Sequence, residues 1–244
     1  MIDAYFQSIE TMLGRVLASE KDRMRQAASK VADCIAEGGI VHLFGCGHSH
    51  ILTEEVFYRA GGLVPIRPIF YEPLMLHEGA VRSSELERQN GLASAFMDGQ
   101  DIREGEVMFV LSTSGRNPVP VDAALAAKAK GAYTIGITSF EYSGSQPSRH
   151  VSGKRLSDAV DLAIDNKAAK GDAVLTHERV KVPFTPTSTV VGATILNAVF
   201  AQAIADLAER GIEPPVYLSG NIDGADAHNE ALIARYRGRI PLLS

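Results

Sequence analysis

The sequence predicts an α/β fold: a three-layer αβα sandwich around a parallel five-stranded sheet, with an N-terminal helical extension. Three observations carry that prediction. Five short apolar runs, IVHLF (40–44), LVPIRPIF (63–70), VMFVL (107–111), YTIGIT (133–138) and AVDLAI (159–164), have the length and continuity of strands buried on both faces. Helical patterns over 50–60, 84–98 and 117–130 separate the first four, the rhythm of right-handed βαβ crossovers. A further helical pattern precedes the first strand.

That first pattern covers 3–37, with Phe6, Ile9, Leu13, Val16 and Leu17 on one stripe and Met24, Ala27, Ala28, Val31 and Ile35 on a second. A break is expected near Ser19, and Gly38-Gly39 ends the helix. The polar stretch 141–155 reads as a loop. Helices over 187–209 and about 226–236 complete the chain. With no repeat or linker in sight, one domain is expected over 1–244: helices at 1–37, a core over 40–210 and a helical tail over 211–244.

At 244 residues and 45% hydrophobic composition, the chain can bury a large core. The N-terminal MIDAYFQSIE lacks the pattern of a signal peptide, and no apolar run reads as a membrane span. Two cysteines make no disulfide framework, so a cytoplasmic setting is expected. The net charge of −5 argues against a nucleic-acid surface. It leaves an anionic ligand open, because backbone amides at a helix start bind anions without net basic charge.

Ligands of open parallel sheets bind beyond the carboxyl ends of the strands. The first predicted strand ends in Gly45-Cys46-Gly47-His48-Ser49, a tight turn into a helix with a hydroxyl at its start. It is no dinucleotide fingerprint, because His50 stands where the third glycine would be. No cofactor and no metal are expected: His48 and His50 lack a second pair of ligands. Cys46 is read as a small packing residue. The third strand ends in Ser112-Thr113-Ser114-Gly115-Arg116-Asn117-Pro118, three hydroxyls before a helix whose first turn holds proline. A helix cap needs one hydroxyl; three suggest an anion nest. Thr138-Ser139 and the run PFTPTSTVVG add hydroxyls further on.

Taken together, GCGHS, STSGRNP, IGITS and PTSTVVGATILNAVF resemble the sugar isomerase (SIS) family over residues 40–210. The family includes phosphoheptose isomerases and N-acetylmuramic acid 6-phosphate etherases, and the ending AHNEALIARYRGRIP resembles a less characterised bacterial branch. The resemblance implies a phosphorylated sugar held by Ser49, Ser112, Thr113 and Ser114, with Asn117 where many members carry serine or threonine. Arg59 stands where phosphoheptose isomerases carry an essential glutamate, and the helix 187–209 has no histidine.

Isomerisation through an enediol needs a base near the sugar and often a second acid/base group. Glu54, Glu55, His48, His77, Glu78 and His228 are the candidates, and Glu78, Glu55 and His228 are preferred. Glu78-Gly79 resembles the etherase segment that carries a catalytic glutamate, whereas Glu87 reads as part of a capping box begun by Ser84. Several members of the family bring a histidine from a late segment into a neighbour's site. The resemblance offers His228 for that role, with a surface histidine on an amphipathic helix as the other reading. The N-terminal apolar stripe of Phe6, Ile9, Leu13 and Val16 points to a dimer or larger homo-oligomer. The leading function is thus an aldose–ketose isomerase of a sugar phosphate. The alternatives are a lyase of the etherase type and a non-catalytic sugar-phosphate sensor. No helix-turn-helix is evident before the first strand, and neither nucleic acid nor membrane is expected as a partner.

Overall fold

A computed structural model describes residues 1–244. Helix α1 (Ile2–Ala36) leads into β1 (Val41–Gly45), α2 (Ile51–Glu55), β2 (Ile66–Pro68), α3 (Ala80–Leu86) and α4 (Ser94–Met97). Then follow β3 (Val107–Leu111), α5 (Pro118–Ala129), β4 (Tyr133–Thr138), α6 (Phe140–Gly144), α7 (Leu156–Ala159) and β5 (Leu162–Asp165). A hairpin of β6 (Leu175–His177) and β7 (Val180–Phe184), helix α8 (Ser188–Glu209) and helix α9 (Ala225–Tyr236) complete the chain.

The five-stranded sheet is parallel in the order β2-β1-β3-β4-β5. Alternate residues explain why the runs are apolar throughout. Val107, Phe109 and Leu111 of β3 join α1, α2 and α8 in one core. Met108 and Val110 join α4, α5 and α7 in the other. A fully buried Phe109 or Leu43 stabilises the fold by about 1.5–3 kcal/mol relative to exposure. The sandwich predicted from sequence is thus the architecture observed.

Local differences have local causes. α1 runs unbroken through Ser19, whose hydroxyl is accommodated within the helix by a bond to the Arg15 carbonyl. The second strand shrinks to three residues at the sheet edge, flanked by Pro65 and closed by Pro68. The helix predicted over 50–60 stops at Glu55, and Tyr58 already has positive φ. The helix predicted over 84–98 splits around Asn90-Gly91. Ser84 therefore lies inside α3, bonded to the Ala80 carbonyl, and no capping box forms there. The fifth strand starts at Leu162, since Ala159 belongs to α7. The hairpin β6–β7 had no counterpart in the sequence reading. α8 also corrects it: its 22 residues are long and apolar enough to cross a membrane by length and composition. Here Val191, Ile195, Leu196 and Val199 bury it in the core beside α1.

Two ionic clusters tie the layers together. At the carboxyl end of β5, Glu20 of α1 is 2% exposed and accepts from Lys167 Nζ at 2.6 Å, which also reaches Asp165 at 2.9 Å. Burial alone would raise the Glu20 pKa, but hydrogen bonds from Lys167 and Arg23 outweigh it and hold the carboxyl low. At the opposite, amino edge, buried Glu106 joins His42 of β1 to Arg239 after α9. Between these levels α1 descends the sheet. Its first eighteen residues rise about 27 Å beyond Glu20, past the carboxyl edge, at 1.5 Å per residue.

Candidate functional site

β1 sits between β2 and β3, and the connections from β1 and β3 leave on opposite faces, through α2 and α5. In this strand order the crevice beyond β1 and β3 is the ligand position of doubly wound sheets. Both hydroxyl-bearing turns face it.

The first turn is a 3-10 segment, Gly47–His50. Gly45 permits it: a Cβ there would lie 2.7 Å from the Ser49 carbonyl carbon and oxygen. The Ser49 amide is spent on the Cys46 carbonyl, but its hydroxyl has no protein partner. His50 Nδ1 bonds the Gly47 carbonyl, and its Nε2 lies 3.5 Å from Glu54. Cys46 points into the core, and burial pushes its thiol well above the usual range. It is no reactive thiolate.

The second turn, Ser112–Asn117, is held from outside. The Thr113 carbonyl accepts from the Ser139 amide at 2.9 Å and the Thr138 hydroxyl at 3.3 Å. The Gly115 carbonyl accepts from the Leu156 amide at 2.8 Å. Gly115 has φ +58°, and a Cβ on it would run into Thr138 Oγ1. Ser112 is buried, and its hydroxyl accepts from the Gly115 amide at 3.3 Å. The half-buried Thr113 and Ser114 hydroxyls make no bond within the protein. Asn117 turns its Oδ1 to Arg149 Nη1 at 2.9 Å and its amide towards Glu87. Its side chain is engaged with those two residues.

The later hydroxyl clusters are also engaged. Ser139 is fully buried, donates to the Ala168 carbonyl and accepts from the Tyr142 amide. Asp172 accepts from the amides of Thr187 and Ser188, each at 3.0 Å, and from both hydroxyls. The N-terminus of α8 thus already holds a carboxylate of the chain itself.

The three preferred acid/base candidates do not meet. Glu78 ends the 3-10 turn Leu76–Glu78, which follows β2 and lies against the first loop, with Leu76 beside Gly47. Its side chain is 45% exposed. Glu55 is paired with Arg59 at 3.1 Å on the outside of α2. His228 lies on α9, which packs with Ile40 and Val64 at the amino edge, and its Nε2 donates to the Val216 carbonyl at 2.9 Å. Within one chain that is the far side of the sheet from both loops. No group of three or more His, Cys, Asp or Glu gathers in a metal-holding arrangement.

Glu87, whose spacing from Ser84 suggests a capping box, lies instead at the crevice wall. It follows α3, its carbonyl accepts from the Val119 amide of α5, and its carboxyl reaches Asn117 and lies near Cys46. Burial raises its pKa. The available signal was Asn90-Gly91: a helix stopped there stays at the carboxyl edge instead of crossing the sheet.

The SIS domain family matches residues 4–139. This chain belongs to that family. UPF0309 proteins are similar along its whole length. That of Geobacillus thermodenitrificans is 67% identical, covering 100% of this chain and 98% of its own. That of Listeria innocua is 58% identical, with the same two coverages, 100% and 98%. Among solved structures, a phosphoheptose isomerase from Francisella tularensis aligns with TM-score 0.54 at 15% identity, covering 83% of this chain and 95% of that one. The Vibrio vulnificus NanR protein complexed with ManNAc-6P aligns with TM-score 0.51 at 15% identity, covering 96% and 69%. At these identities the structural likeness is one of fold. The SIS fold of the relatives and the parallel sheet described above agree.

Proposed function

We propose that this SIS protein binds a phosphorylated sugar in the crevice between β1 and β3 and isomerises it between aldose and ketose. One observation carries the reading. Hydroxyls without protein partners, Ser49 on one turn and Thr113 and Ser114 on the other, flank the position where this strand order takes its ligand. The start of α5 adds its partial positive charge to the second turn. The ManNAc-6P complex of NanR and the isomerase from Francisella tularensis supply chemical precedent on the same fold.

In this reading the carbon chain of the sugar runs from the second turn towards the β2 loop. Glu78 removes the proton from the carbon next to the carbonyl, giving an enediolate, and returns it to the neighbouring carbon. The hydroxyl proton passes in the same direction, from the oxygen that becomes the new carbonyl to the former carbonyl oxygen, through Glu87, whose raised pKa suits a carboxyl that must be protonated for part of the cycle. Glu55 and His228 are not needed in this route.

The Thr113→Val, Ser114→Ala double variant tests the binding step. It removes two free hydroxyls without touching Ser112, which supports Gly115. Hydrogen bonds to a charged group contribute about 1.5–3 kcal/mol each, so affinity for sugar phosphates should fall by roughly 100-fold or more. Calorimetry with hexose and hexosamine phosphates measures this, with the melting curve as the fold control. Unchanged affinity in a protein that still melts normally would sink the assignment.

A homo-oligomer in the cytoplasm is part of the same proposal. The lower part of the α1 stripe is buried on α8, while Ile2, Phe6 and Leu17 stay exposed, as do Val180 and Val182 of β7. Both cysteines are free. Sedimentation equilibrium at micromolar concentration should give at least a dimer, and Phe6→Glu should lower that mass. A monomer in the unmodified protein would contradict this.

A further inference from the structure

Three arginines meet beside the second turn, and no carboxylate lies within ion-pair distance of any of them. Arg116 belongs to the turn, and its Nε donates to the Pro147 carbonyl at 3.1 Å. Arg149 donates its backbone amide to the Arg116 carbonyl and its Nη1 to Asn117 Oδ1, each at 2.9 Å. Arg88 directly follows Glu87. Several other arginines are paired with carboxylates, among them Arg23 with Glu20, Arg59 with Glu55, Arg210 with Asp33 and Arg239 with Glu106.

The three are held as one surface. The Val151 amide donates to Asn90 Oδ1 at 2.8 Å, two residues from Arg149 and from Arg88 respectively. The Gly91 amide donates to Asp122 Oδ2 at 2.8 Å. His150 is buried, with Nε2 at 2.8 Å from Asp122 Oδ1 and Nδ1 at 2.7 Å from the Ser152 hydroxyl. These bonds stitch the 145–154 segment to α5 and to the turn that bears Arg88. Partial burial, and then the neighbouring charges of Arg116 and Arg88, lower the Arg149 pKa, while Glu87 opposes this. A protein with net charge −5 has crowded like charges here, beside the Glu87 carboxyl, whose pKa burial raises.

We propose that Arg88, Arg116 and Arg149 form a second anion subsite, so that the ligand carries another anionic group, a carboxylate or a second phosphoryl, beyond the phosphate held by Ser49, Thr113 and Ser114. This rests on the crevice reading given above. It narrows the substrate class from sugar monophosphates to phosphosugars with a second negative charge. Arginine suits either group, because its planar fork matches both carboxylate and phosphoryl oxygens.

Three probes share a 6-phosphate and differ at the other end: fructose 6-phosphate, fructose 1,6-bisphosphate and 6-phosphogluconate. In calorimetry at fixed low salt, at least one of the two doubly charged probes should bind about 10-fold or more tightly than fructose 6-phosphate. Which one does so identifies the second group. Arg116→Gln with Arg149→Gln should erase that advantage and leave fructose 6-phosphate within about 2-fold. Equal affinity for all three probes in the unmodified protein overturns the subsite and leaves the phosphate crevice standing. Loss of fructose 6-phosphate in the same proportion as the others also overturns it, since the arginines would then serve the first phosphate. If neither the three probes nor inorganic phosphate binds, the crevice reading fails and the subsite with it.

Discussion

Glu106→Ala is expected to destabilise the protein by about 3–5 kcal/mol, the usual cost of removing one partner from a buried charge cluster. Glu106 is 3% exposed. It accepts from the amides of Ile40 and Arg103 and from His42 Nε2, each at 2.9 Å, and from both terminal nitrogens of Arg239. The alanine variant would strand His42, which is wholly buried and whose Nδ1 already lacks a partner. It would also leave Arg239 with Asp101 as its remaining carboxylate partner. For a chain of this size the loss corresponds to a fall in Tm of roughly 6–20 °C.

The same cluster sets an acid limit. Burial alone would raise the Glu106 pKa, but the hydrogen bonds from His42 and Arg239 hold it near 2. An unfolded glutamate titrates near 4.3, so the unfolded chain binds the proton first. The Glu106 share of stability is complete above that value and is lost as pH falls towards 2. His42 acts in the same direction from a higher starting point. Burial keeps it neutral, whereas an unfolded histidine takes a proton below about pH 6.5. Urea midpoints should therefore drop between pH 7 and pH 3, and Glu106→Ala should flatten the part below pH 5. A midpoint independent of pH over that range would show that the cluster contributes nothing.

The second large effect concerns rate. Glu78→Gln should lower kcat by about 10²–10⁴-fold with sugar-phosphate affinity kept within a few-fold, because the amide has the size of the acid without its basicity. Glu87→Gln should cost a similar factor and remove one limb of the pH–rate profile, a change that loss of a merely structural contact would not produce. Glu55→Gln should turn over normally. If Glu55→Gln alone is inactive, the base lies on α2. If all three variants are fully active, the proton transfer runs elsewhere and the isomerase reading falls.

The sheet was legible because burial on both faces favours short, continuous, mostly apolar runs: VMFVL and YTIGIT are strands at the predicted residues. What failed was local. Ser19 looked like a helix break, but serine can bond back to the carbonyl four residues earlier and stay helical. Ser84 and Glu87 had capping spacing, but Gly79, whose φ of +140° suits only glycine, starts that helix four residues earlier than the reading placed it. At the site, the two turns could be read because glycines and hydroxyls cluster at strand ends. The arginine surface could not. Arg88, Arg116 and Arg149 are scattered in sequence and meet through Asn90, Asp122 and His150, contacts that no local pattern announces.

The length of α1 has a further consequence. Below Glu20 the helix is part of the sandwich; above it, Met12 and Val16 still pack into the core while the rest of the helix stands over the rim on which the crevice opens. Ile2, Phe6 and Leu17 all lie on that upper part. Whatever second subunit shelters them would stand beside the mouth of the crevice and narrow the approach to it. Ligand affinity and self-association would then be two readings of a single equilibrium: ligand that favours the sheltered form raises the association constant, and dilution that dissolves the assembly lowers the apparent affinity by the same factor.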